Sequence, residues 1–199
     1  MLDDRHWLGK LAVAALCALF LPALVGGWLL YGWGVEVARR ALTGQAEALP
    51  GWHKPLPYLR DGLRGAVACL AYLTPVAVFE AAAWALRTYA GEAGAVAATA
   101  LGVVSAVWLV LVGYWLVGVT LVLARGGGLR EALDLGAVRR LLRDNATPYQ
   151  LAYLSMVVFC PLLIGVGALF LGVGALFGVG WAFAFAGRLA AQAYITANE

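Results

Sequence analysis

Long apolar runs alternate along this chain with short charged segments, and the run lengths set the expected elements. The first run extends from Leu8 to Val35, interrupted only by Lys10, which can snorkel from a helix end. As one helix it would measure roughly 42 Å at about 1.5 Å per residue. That exceeds one untilted crossing of a bilayer core about 30 Å thick and falls short of two full ones. Pro22 with Gly26 and Gly27 supplies a break. The segment therefore folds as a hairpin of two short helices, or crosses once with a tilt and an external N-terminus. A secretory signal would need a clean small-residue cleavage site after the apolar core, and more apolar sequence follows there instead.

Gly65 to Trp84 is the next apolar run, with Pro75 in its middle, where a kink is expected. Glu80 is the one acid well inside an apolar run, which makes it a candidate intramembrane polar site. Its depth, near the far end of the span, also suits a carboxylate reaching water, and Arg87 follows two turns later. Thr88 to Ala95 reads as a short far-side turn. Leu101 to Ala124 carries no charge and is the clearest span, with Ser105, Trp108, Val112 and Trp115 on one packing stripe. Met156 to Gly187 is also uncharged and suits two closely packed spans, with a turn between Gly165 and Gly174. GVGALF occurs there twice, and Gly174 and Gly178, four apart, are candidate helix-packing positions.

Between the runs lie surface segments. Thr43 to Asp61, rich in Pro and Gly, reads as a loop in which Trp52 suits a headgroup-level anchor and His53 a solvated surface position. Arg125 to Gln150 is the longest charged interruption. Within it Gly126 to Gly128 end a helix, Leu129 to Leu135 form a short turn or helix, and Asp134 can cap a second piece. From Val138 to Asp144, Val138, Leu141 and Leu142 share one face while Arg139, Arg140 and Arg143 share the other. That pattern predicts a basic amphipathic helix lying in the membrane plane, each arginine contributing about 1 kcal/mol against an anionic leaflet. Thr147, Pro148 and Gln150 are expected to form a capping box that opens the next span.

Composition agrees. Of 199 residues 63% are hydrophobic and 13% charged, with a formal charge of +3. Soluble domains sit near 45–50% and 25%. The apolar excess is too large for one small globule to hide, so lipid must cover the remainder. The basic residues sit in short loops, which argues against a nucleic-acid partner. Cys17, Cys69 and Cys160 lie in apolar runs without ligand spacing. With six membrane-embedded segments, one side holds every Lys and Arg except Arg87, which places both termini in the cytoplasm by the positive-inside rule. Leu70–Leu73 and Leu151–Leu154 both read LAYL at the start of a span and precede Pro75 and Pro161, a faint echo of a tandem repeat.

Three stretches, GWLLYGWGVEVARRALTGQAEALPGW, LRDGLRGAVACLAYLTP and GLREALDLGAVRRLLRDNATPYQLAYL, carry a resemblance. Through Arg39 and Arg40, then Leu49, Pro50 and Trp52, then Asp134, Gly136, Leu141 and Tyr149, the chain resembles the bacterial and archaeal membrane-protein family catalogued as domain of unknown function 4013. Leu133 stands where that family's pattern has an aromatic. The resemblance implies fold and membrane localisation and adds no chemistry.

The expectation is thus an all-α, polytopic α-helical membrane protein forming one integral membrane domain over residues 1–199. About six segments would be embedded, the first pair as a short hairpin, with in-plane amphipathic helices on the cytoplasmic side of the inner (plasma) membrane. No paired carboxylates, His-x-x-x-His or phosphate loop suggests an enzyme, a metal or a cofactor. A non-catalytic role follows, through helix packing, contact with anionic lipid headgroups, homo-oligomerisation or membership of a membrane complex. The alternative is a small oligomeric channel or transporter for an ion or small solute, whose polar path would have to use Glu80 and scattered hydroxyls.

Overall fold

The computed structural model describes residues 7–20, 25–45, 49–143, 146–169 and 173–198. Among these the regular elements are eight α-helices: α1 (Trp7–Leu19), α2 (Val25–Leu42), α3 (Pro55–Tyr89), α4 (Gly91–Ala124), α5 (Leu129–Leu133), α6 (Leu135–Arg143), α7 (Ala146–Ala168) and α8 (Val173–Asn198). The helices α3, α4, α7 and α8 are long and apolar enough to cross a membrane, while α1 is a shorter apolar helix. Their outer faces are hydrophobic and uncovered: only 6% of the most apolar stretch of α7 is buried inside the protein.

The first apolar run is two helices. Pro22 lies outside the described residues, but the geometry on either side of it shows that the chain turns back. Lys10 Nζ donates to Leu49 O at 2.7 Å, and Trp52 Nε1 donates to Lys10 O at 2.8 Å. The start of α1 therefore stands beside the loop that follows α2, as in a hairpin. The segment expected as an exposed loop from Thr43 to Asp61 is shorter than that. Pro55 and Pro57 open α3, where a missing N–H costs nothing, and Leu49 and Pro50 are fully buried beneath Trp33. Trp33 Nε1 donates to Pro50 O at 3.1 Å, so the loop folds inward to meet a buried donor that needs an acceptor.

The turn expected over Thr88 to Ala95 shrinks to Ala90, with α3 running to Tyr89 and α4 starting at Gly91. Ala- and Gly-rich sequence is compatible with helix once a partner helix covers it, as the fully buried Ala83 and Ala98 show. The helix α3 also runs on through Pro75. At the other end α4 closes as a Schellman motif: Gly127 N donates to Val122 O, Gly126 N donates to Leu123 O, and Gly126 adopts φ 86°, which favours glycine.

Asp134 caps α6 as expected, its Oδ1 accepting from Gly136 N at 2.8 Å and Ala137 N at 3.1 Å. Thr147 does not cap α7; that helix begins one residue earlier, at Ala146, so Thr147 stands in the first turn. The turn between α7 and α8 falls after Ala168 and before Val173, inside the expected interval, with residues 170–172 outside the described set. The two helices run antiparallel, Phe159 meeting Phe185 and Cys160 Sγ approaching Ala182 O.

Each hairpin returns to one end of the bundle, where α1 starts, α2 ends, α3 starts, α4 ends and α8 ends. This charged end is the best-packed part. Val117, Val119, Leu121, Leu123 and Ala124 of α4 join Val35, Ala38, Tyr72, Val138, Leu142, Tyr149 and Ala190 in the larger of two cores. The helices α2 and α3 cross where both lack a side chain. A Cβ on Gly32 would overlap the Tyr58 carbonyl, and one on Gly62 the Trp28 carbonyl, so the backbones are in direct contact.

Candidate functional site

At the charged end, local sequence places acids and arginines one helical turn apart. Glu36, Arg39 and Arg40 lie at i, i+3 and i+4 on α2, and Arg60, Asp61 and Arg64 at the start of α3. The α2–α3 glycine crossing brings the two sets together. Arg39 is the node. Its guanidinium donates to Asp61 Oδ2 at 2.8 Å, to Glu36 Oε2, to Ala124 O at 3.2 Å and to Leu123 O at 3.1 Å. One side chain thus ties α2 to α3 and reaches the last carbonyls of α4, of which Leu123 O also accepts from Gly126 N.

Asp61 is buried, its side chain 5% exposed, and also takes Arg64 at 3.3 Å and Arg60 at 3.7 Å. Glu36 takes Arg40 at 3.3 Å as well. Four arginines against two carboxylates leave this cluster net positive, with Arg60 reaching into the surroundings. Sequence reasoning used Arg39 and Arg40 as orientation signals and as part of the family resemblance, and gave Glu36 and Asp61 no role. The E-x-x-R-R and R-D-x-x-R spacings were the available signal, but the partnership between them is tertiary.

Beside the cluster, aromatic rings hold the inward loop. Trp33 and Trp52 stack at 5.5 Å between centroids, Tyr58 meets Trp52 edge-on at 5.7 Å, and Tyr58 OH donates to Gly51 O at 2.7 Å. Trp52 is half-buried and its one donor is satisfied by Lys10 O, inside the protein. His53 is exposed.

The α5–α6 segment is pinned to the bundle from below. Tyr72 OH donates to Ala132 O at 2.6 Å, and Val138 and Leu142 pack against Gly118 of α4, where a Cβ would come within 2.7 Å of Val138. Arg139, Arg140 and Arg143 are exposed on the opposite face. Arg140 Nε donates to Gly136 O at 3.2 Å, and Arg139 and Arg143 make no hydrogen bond or ion pair among the described residues. Arg125, following α4, sits 5.1 Å over the Tyr194 ring of α8.

Glu80 is distant from all of this. It is exposed on α3, roughly 28 Å along the helix from Asp61 at about 1.5 Å per residue, and has no partner among the described residues. Arg87 is exposed two turns further on, and the two form no ion pair. Gly174 and Gly178 stand where α7 and α8 meet: the Gly174 carbonyl abuts Gly167, and a Cβ on Gly178 would lie 2.6 Å from Leu163 O. The stripe of Ser105, Trp108, Val112 and Trp115 faces α3, with Trp108 Nε1 donating to Tyr72 O at 2.9 Å. The three cysteines are separate and half-buried, and no metal-binding group of His, Cys, Asp and Glu occurs among the described residues.

A family model described as "Protein of unknown function (DUF4013)" matches residues 15–191. No curated protein and no solved structure matches the chain.

Proposed function

We propose, because the chain belongs to the DUF4013 family and carries four helices long and apolar enough to cross a membrane, that it is a multi-pass inner-membrane protein acting through its surfaces and not through catalysis. In this reading α3, α4, α7 and α8 span the bilayer, and α1 with α2 forms a short embedded hairpin. The α5–α6 segment lies along the cytoplasmic face, both termini are cytoplasmic, and Arg87 alone faces the other side. Arg139, Arg140 and Arg143 then meet anionic headgroups.

One observation carries the proposal. The charged groups of the inner cluster are satisfied by one another and by helix-end carbonyls, while large apolar side chains such as Val78, Trp84, Val103, Val107 and Leu162 stand exposed. A protein built this way has its unmet demand outside the chain, in lipid and in neighbouring membrane proteins. Native mass measurement after mild extraction tests it. The expected result is a species heavier than the 21.0 kDa chain, through further copies, other subunits or retained lipid. A bare monomer under every mild condition refutes it.

A further inference from the structure

Four helices, α2, α4, α7 and α8, meet around a cavity of about 130 Å³. Leu116 of α4, Met156 of α7, and Phe183 and Ala186 of α8 supply apolar walls. Gly34 and Gly187 let the α2 and α8 backbones touch beside it, and Gly113 of α4 brings no side chain, so the space is left unfilled. All of the lining residues lie within described helices, and none of them is charged. Two hydroxyls stand on the wall, and both are already used. Thr120 Oγ1 donates to Leu116 O at 2.8 Å, so Tyr31 OH is the donor in the 2.9 Å bond between Tyr31 and Thr120.

Chemistry, depth and access together specify what fills this space. A buried water needs several polar partners, whereas a dry apolar cavity of about 150 Å³ takes up a compact hydrocarbon such as benzene. The cavity extends from about 6 Å inside the charged end of α4, at Thr120, to about 16 Å, at Gly113, taking about 1.5 Å per residue. In a bilayer core about 30 Å thick that is the depth of the acyl chains of the nearer leaflet. One turn farther along the faces that carry Gly113 and Met156, Leu109, Val110 and Phe159 are 48%, 57% and 47% exposed. The cavity therefore leads out between α4 and α7 to the surface that lipid covers. A neighbouring helix, about 10–12 Å across, is too wide to enter. A single hydrocarbon tail is not.

We propose that this cavity is an acyl-chain site, holding the mid-chain methylenes of one tail of a phospholipid in the nearer leaflet. The tail enters between α4 and α7 and its headgroup stays at the membrane surface. Burial and dispersion are the only forces the walls offer, so the site selects a slim hydrocarbon and is indifferent to headgroup charge. The proposal rests on the membrane reading above and deepens it by naming a ligand class and a place.

The test reconstitutes the full chain in vesicles of phosphatidylglycerol and phosphatidylethanolamine that carry a trace of phosphatidylethanolamine with a diazirine midway along one tail. A parallel sample carries the diazirine on the headgroup. The protein is extracted in mild detergent and illuminated, and labelled residues are located by peptide mass spectrometry. Wild type should carry the tail label on Leu116, Met156 and Phe183 at about ten times the level on Val158, an exposed position of α7, because only sequestered lipid survives extraction. The headgroup probe should leave those three residues unlabelled. Ala186→Leu on α8 and, separately, Leu116→Trp on α4 fill the space from different walls, and each should cut the label on Met156 and Phe183 about tenfold. Val158→Phe should leave it unchanged. Cavity residues labelled no more than Val158 in wild type, equal labelling by the headgroup probe, or an undiminished label in both filled variants overturns the proposal. The two wild-type comparisons decide the matter even where a filled variant unfolds. Failure of the chain to partition into vesicles rejects the membrane reading itself, whereas partitioning without a cavity label rejects only the acyl-chain site.

Discussion

Replacing Arg39 by Leu removes one side chain and strands several groups at once, which makes it the sharpest probe of the fold. The change leaves the nearly buried Asp61 with Arg64 at 3.3 Å and Arg60 at 3.7 Å, both longer than the 2.8 Å bond it loses. It also removes the Arg39 bond to Ala124 O and leaves Leu123 O with Gly126 N alone, both in buried residues. A charge-assisted bond to a buried carboxylate contributes about 1.5–3 kcal/mol, and a lost carbonyl cap about 1 kcal/mol. The Glu36 contact adds little, because Glu36 keeps Arg40 and the Arg39 side chain is 31% exposed to screening. Relief from holding a half-buried guanidinium offsets part of the loss. The net is about 2–4 kcal/mol, and a chain of this size shifts by about 2–4 °C per kcal/mol, so the melting temperature in detergent should fall by roughly 5–15 °C. Thermal unfolding followed by circular dichroism reads this directly, with Arg139→Leu on the exposed face of α6 as the control, expected within about 0.5 kcal/mol of wild type. Adding Asp61→Asn to Arg39→Leu should restore part of the loss, since it neutralises the stranded charge. A fall no larger than that of Arg139→Leu, or strictly additive effects of the two changes, would refute the description of Arg39 as the node.

Two further outcomes follow from the packing. Gly62→Val places a side chain against the Trp28 carbonyl and should lower the melting temperature well beyond Gly102→Val, where nothing lies within 4 Å of the added Cβ; equal melts would contradict the α2–α3 backbone contact. Tyr72→Phe removes the 2.6 Å bond to Ala132 O and should speed hydrogen exchange over Leu129–Leu133 while leaving α7 and α8 unchanged, so undisturbed protection in α5 would show that the bond does not hold that segment.

How much of this was legible depended on whether the cause was local. Apolar run length announced α3, α4, α7 and α8, because covering a bilayer core is a property of consecutive residues. Asp134 capped α6 for the same reason, its carboxylate needing only the next few N–H groups. Thr147 misled because a cap also needs the right residue outside the helix, and α7 starts one residue sooner. The loop from Thr43 to Asp61 misled because its Pro and Gly content says nothing of what lies beneath it; the buried Trp33 donor draws Pro50 inward. The Arg39 cluster was hidden altogether. Its halves are 22 residues apart, and only the contact of Gly32 with Tyr58 and Gly62 with Trp28 brings them within bonding distance.

The repeated LAYL stretches show where these local and tertiary causes meet. Tyr72 and Tyr153 both turn onto α4: Tyr72 packs with Trp115 and accepts from Trp108, while Tyr153 packs on Tyr114 and closes against Gly113. At about 100° per residue Trp115 and Gly113 lie on different faces, so α3 and α7 grip α4 from separate sides. Both grips lie in the half of α4 nearer the charged end, the half that also receives α6 at Gly118 and Arg39 at its last carbonyls. Beyond Trp108, by contrast, Val103, Val104 and Val107 are exposed, and Ser105 Oγ is buried without a partner among the described residues. The chain therefore fixes one end of α4 with polar and aromatic contacts specific to itself and leaves the other end an apolar surface.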